Sequence, residues 1–81
     1  MQRKLFATAV CSGLPVRYYL LRRQGTTGQC YGIRVDYNGE TVTAADLSAS
    51  EMQVRQLLGM LVRGCVTPVT IADILEDWLL R

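Results

Sequence analysis

The chain has 81 residues, 49% of them apolar and 20% charged, with a formal net charge of +2. That length holds one modest core, and so apolar a composition with so little net charge excludes intrinsic disorder. No apolar stretch reaches the roughly 18 residues of a membrane-spanning helix, and histidine is absent, which removes the commonest general base and the commonest metal ligand.

In chain order, Arg3 and Lys4 precede Leu5-Phe6-Ala7-Thr8-Ala9-Val10-Cys11. This run sits at the bottom of the range for a signal peptide, about 7 to 15 residues. Bulky Val10 also occupies the position before Cys11 where a lipoprotein peptidase needs a small residue. Residues 1–15 are therefore expected to be an N-terminal extension or an edge strand, with Leu5 to Val10 as the candidate strand. A single α+β domain is expected over 16–81. Val16 to Arg23 is rich in strand formers, and Gln24 to Gln29 reads as a glycine-marked loop. From Cys30 to Tyr37, the residues Tyr31, Ile33, Val35 and Tyr37 alternate with Gly32, Arg34 and Asp36, the period of a half-buried strand.

Asn38-Gly39 predicts a two-residue type I′ turn. Its register sets Tyr37 opposite Glu40, Val35 opposite Val42 and Ile33 opposite Ala44, which gathers Ile33, Val35, Val42 and Ala44 on one face. Ser48-Ala49-Ser50-Glu51 fits a capping box, with Ser48 as N-cap and Glu51 reaching back. Val54, Leu57, Leu58, Leu61 and Val62 follow as a helical stripe, and Gly64 supplies the stop. Gly59 falls within that helix, where it suggests close backbone packing. Pro68 opens a second helix with Ile71, Ile74, Leu75 and Trp78 facing inward. The fold expected is an antiparallel β-meander of three or four strands, followed by two helices packed against each other and onto one sheet face.

Several of these segments together, Tyr31-Gly32-Ile33, Asp46-Leu47-Ser48, Gly64-Cys65-Val66-Thr67-Pro68 and Asp73-Ile74-Leu75-Glu76-Asp77-Trp78-Leu79, resemble a family of small bacterial proteins of unknown function. The resemblance spans roughly residues 16 to 80. It rests on a YGI strand, a DIS helix start and a C-terminal helix ending in an acidic, aromatic "EDFL"-like segment, with Trp78 in place of the Phe. It implies the same fold and no activity.

Charge divides the chain. Residues 1–35 carry Arg3, Lys4, Arg17, Arg22, Arg23 and Arg34 and no acid, a net +6, whereas residues 36–81 set three arginines against seven acids, a net −4. Arg17, Arg22, Arg23 and Arg34 thus form a candidate partner-binding surface on the strands. Asp73, Glu76 and Asp77, at i, i+3 and i+4 on the second helix, form a candidate acidic one. Such a trio would be repelled by DNA phosphates, so the helix pair is not a DNA-reading unit. A basic sheet with Tyr18, Tyr19 and Tyr31 offers a second reading as a nucleic-acid binder, although Tyr18 and Tyr19 must face opposite ways.

Cys11, Cys30 and Cys65 are odd in number and widely spaced, without CxxC, so reduced thiols in a cytoplasmic protein are expected. A bridge between any two requires the fold to bring them together. With no nucleophile-and-base pair and no phosphate or dinucleotide motif, the chain reads as a non-catalytic protein-interaction or regulatory module. It is expected to need no cofactor or metal, and to bind another protein or a second copy of itself.

Overall fold

The structure, a computed structural model, describes residues 2–26 and 28–80. Four strands, β1 (Gln2–Cys11), β2 (Leu14–Gly25), β3 (Gly28–Tyr37) and β4 (Glu40–Ser48), form an antiparallel meander in the order β1-β2-β3-β4. Two helices, α1 (Glu51–Arg63) and α2 (Pro68–Leu79), follow and cover one face of the sheet. This is the expected α+β architecture, with four strands.

The turns explain the register. Asn38 and Gly39 have φ of 50° and 81°, the left-handed pair of a type I′ turn, and Tyr37 opposes Glu40, Val35 opposes Val42 and Ile33 opposes Ala44 as that turn dictates. Ser12 and Gly13 repeat the device at 51° and 81°, joining β1 to β2. The connection expected over 24–29 is shorter than its glycines suggest, because β2 and β3 stay paired out to Gly25 opposite Gly28. Thr27, between them, lies outside the described residues.

Alternation then sorts the side chains. Val16, Tyr18 and Leu20 of β2 and Tyr31, Ile33 and Val35 of β3 meet Val54, Leu57, Leu58 and Leu61 of α1 and Ile71 of α2 in one cluster. Among the described residues no polar or charged residue is buried. Trp78, Ile74 and Leu75 pack against this cluster from its rim, each only partly buried. No Cα pair between α1 and α2 lies within 8 Å, so the helices meet through side chains on the shared core. The expected direct packing of the two is therefore looser than the sequence suggests.

Two bulges escape simple alternation. In β1 both Phe6 and Ala7 stand against Tyr18, and the extra residue lets Phe6 reach the core. In β4 the register jumps from Ala44 opposite Ile33 to Ser48 opposite Tyr31, with Asp46 left-handed at φ 57°. Gly32 is what admits this second bulge: a Cβ there would collide with the Ala44 carbonyl oxygen and the Ala45 Cα.

Both helix ends differ from the expected ones. The N-cap of α1 is Ser50, two residues after Ser48, and its hydroxyl accepts from the Gln53 backbone N–H at 3.3 Å. Ser48 instead accepts from the Ser50 N–H at 3.0 Å and donates to Gln53 Oε1 at 2.9 Å. Gln53, not Glu51, therefore bonds to both serines, its backbone N–H to Ser50 and its side chain to Ser48, and Glu51 pairs with Arg55 at 2.9 Å. At the other end Gly64 is right-handed, and Cys65 takes the left-handed position at φ 51°. The Val66 N–H donates to the Leu61 carbonyl at 3.0 Å and the Cys65 N–H to that of Val62 at 3.1 Å, a complete Schellman motif. Gly59, expected to sit in a tight packing contact, faces open space.

Candidate functional site

The sheet has one face without helices, and its residues follow from the same alternation. Because Val16, Tyr18 and Leu20 point toward the helices, Arg17, Tyr19, Leu21 and Arg23 point to the other face, where Leu21 is itself buried. Cross-strand pairing assembles Leu5, Tyr19, Arg34 and Thr43 into one row and Thr8, Arg17, Asp36 and Thr41 into the next. Arg3 stands opposite Leu21 in the row beyond.

Tyr19 is the hub of this face. The Arg3 guanidinium lies 5.1 Å and that of Arg34 5.8 Å from its ring centroid, within cation–π range. Arg34 Nε also donates to Asp36 Oδ1 at 2.9 Å, and Thr41 Oγ1 donates to the same oxygen at 3.0 Å. Burial pushes the Asp36 carboxyl up, but the Arg34 and Thr41 hydrogen bonds and the Arg34 and Arg3 charges outweigh it and hold the group below its ordinary value. The hydrogen bond to Asp36 in turn pushes Arg34 up. Nearer the open end, Arg23 Nη1 donates to Asp46 Oδ2 at 2.9 Å. Arg17 is exposed and makes no ion pair among the described residues. The face thus gathers Arg3, Arg17, Arg23 and Arg34 against Asp36 and Asp46, an excess of two cations.

Of the four arginines named from sequence, three share this face and Arg22 does not. Arg22 lies on the helix-covered side at the sheet's end, where it donates to Gln2 Oε1 beside Tyr31, Glu51 and Arg55. Neighbours in a strand cannot serve one surface, and the pair Arg22-Arg23 is split for the same reason as Tyr18-Tyr19. Asp73, Glu76 and Asp77 are all exposed on α2, with no ion pair among the described residues. Since α2 rests on β3 and β4 from the covered side, the acids and the three arginines lie on opposite sides of the molecule.

Sequence reasoning left out Arg3 and Asp46. Arg3 becomes visible only once β1 is accepted as a strand with a bulge, and Asp46 only once the β4 bulge is known. A concavity of about 350 Å³, lined by Leu47, Ser48, Gln53, Gln56, Trp78 and Leu79, carries no charged group. Among the described residues no three of Cys, Asp and Glu gather closely enough to hold a metal ion. No helix there is long and apolar enough to cross a membrane.

No curated protein and no solved structure matches the chain. A family model does, over residues 5–81, and so takes in most of β1 as well as the segments that carried the resemblance. The chain belongs to that family, a family of unknown function (DUF6514).

Proposed function

We propose that the chain is a non-catalytic binding module that docks another protein, one presenting carboxylates, on the uncovered sheet face. The observation that carries this reading is the make-up of that face: four guanidiniums and two carboxylates around Tyr19, with Leu5 and Val10 exposed alongside. Arginine and tyrosine are enriched at protein interfaces, and an excess of cations favours an acidic partner. The α2 acids, on the other side, leave that excess uncompensated. The non-catalytic part of the reading rests on the residue inventory, which has no histidine to serve as a base.

The nucleic-acid reading has less support. Stacking on bases needs a free aromatic face, yet Tyr18 and Tyr31 are buried against the helices and Tyr19 is engaged by two guanidiniums.

The test is capture of partners by the tagged full-length chain from a native lysate, with and without nuclease, over a salt series. Wild type is compared with R3E/R17E and with D73K/E76K/D77K. One defined protein should persist after nuclease treatment, disappear with R3E/R17E and remain with the α2 variant. Capture that is nuclease-sensitive and falls steeply with salt would replace this reading with nucleic-acid binding.

A further inference from the structure

Two cysteine-bearing segments far apart in the chain come together. Cys11 closes β1 and Cys65 lies between α1 and α2, yet the Cys65 Sγ donates to the carbonyl of Val10, the residue beside Cys11, at 3.2 Å. Two buried or half-buried tyrosines hold the segments in place. Tyr37 Oη donates to the Cys11 carbonyl at 3.2 Å, and Tyr18 Oη donates to the carbonyl of Val66, next to Cys65, at 2.8 Å. Cys65 is moreover fixed as the left-handed residue of the Schellman turn. Both thiols are free and partly accessible. Burial and then the adjacent Cys11 thiol push the Cys65 thiol up. Cys30, on β3, is far along the sheet, paired across from Arg23.

We infer that Cys11 and Cys65 are a thiol–disulfide pair that closes under a low-molecular-weight disulfide such as oxidised glutathione. The Cys11 thiolate attacks one sulfur of the oxidant, a Cys11–glutathione bond forms, and the first glutathione leaves as its thiolate and takes up the proton from Cys11. The Cys65 thiolate then attacks the Cys11 sulfur, the protein disulfide forms, and the second glutathione leaves and takes up the proton from Cys65. The protein loses two electrons and two protons, and the oxidant is reduced to two thiols. Because the core holds both segments in position, the second step is intramolecular and outruns accumulation of the adduct. The bridge ties the β1 end of the sheet to the interhelical turn, a staple of the kind small domains use. This inference is independent of the docking face.

The experiment treats the reduced full-length chain with oxidised glutathione, quenches with an alkylating reagent and reads intact mass, peptide linkage and thermal midpoint. Cys30→Ser should lose about 2 Da and take up no alkyl group, wild type should be modified at Cys30 alone, and both should yield a peptide joining residues 11 and 65 and melt roughly 10 °C or more higher. Cys11→Ser and Cys65→Ser, each combined with Cys30→Ser, should instead stop at a glutathione adduct on the one remaining thiol, without the shift. Stable adducts on Cys11 and Cys65 together in wild type, or a linkage to Cys30, would overturn the inference. The mass and linkage readouts stand even where a serine variant is less stable.

Discussion

Tyr18 and Tyr19 are the same residue type one position apart, and the two faces of the sheet give them different tasks. Tyr18 is fully buried among α1, β3 and the interhelical turn, with its hydroxyl bonded to Val66. Tyr19 lies on the uncovered face between arginines, held by charge and ring rather than by burial. The contrast shows where this domain keeps its stability. The covered face joins strands to helices through apolar area removed from water, whereas exposed ion pairs and cation–π contacts contribute little each. Apart from buried Leu21 and the close approach at Gly32, the uncovered face is therefore free to change its residues toward a partner at small cost to folding.

The largest expected effect tests that contrast head on. Tyr18→Ala should cost about 3–5 kcal/mol in chemical denaturation, and Tyr19→Ala less than about 1 kcal/mol; equal losses would break the distinction between the faces. Next comes the exception on the uncovered face, Gly32, where the β4 backbone approaches closely. Gly32→Ala should destabilise by about 1–3 kcal/mol through overpacking, visible as a lowered denaturation midpoint and loss of amide protection around 44–46.

Tyr18→Phe keeps the ring and removes only the bond to Val66, at about 1 kcal/mol. It also has a pH signature. Burial first, then the nearby Cys65 and Cys11 thiols, pushes the Tyr18 hydroxyl up from 10.0 to about 12. The folded state thus favours the neutral phenol, so its contribution is fully present below pH 10 and is lost as pH rises toward 12. Denaturation between pH 9 and 12 should show a shallower decline for Tyr18→Phe than for wild type.

The smallest effect has the opposite sign. Gly59→Ala places a methyl in open space on α1 and should add about 0.5–1 kcal/mol through helix propensity. A loss instead would reveal the close packing that the structure does not contain.

How much of this was legible in the sequence follows from the range of each interaction. Asn38-Gly39 set its own turn and with it the partners of Ile33 and Val35, because a two-residue loop leaves one register. The stripes of α1 and α2 were equally readable, and Val54, Leu57, Leu58, Leu61 and Ile71 are the buried residues of those helices named from their spacing. Caps were read less well. Two serines competed for the start of α1, and the choice of Ser50 depends on where β4 ends, which is a matter of pairing with β3. At the far end a glycine drew attention from Cys65, although the hydrogen bonds to Leu61 and Val62 hold the cysteine left-handed.

The candidate site was half legible for the same reason. The excess of cations in the first half of the chain was plain, and alternation alone would have separated Arg22 from Arg17, Arg23 and Arg34. The addition of Arg3, the pairing of Asp46 with Arg23 and the meeting of Cys11 with Cys65 could not be read, since each depends on a bulge or on contact across 23 to 55 residues of chain. Local periodicity and turn chemistry act over a few residues and are written directly in the sequence. Which side of the sheet the helices cover, and which distant groups that brings together, is decided only when the apolar faces find one another.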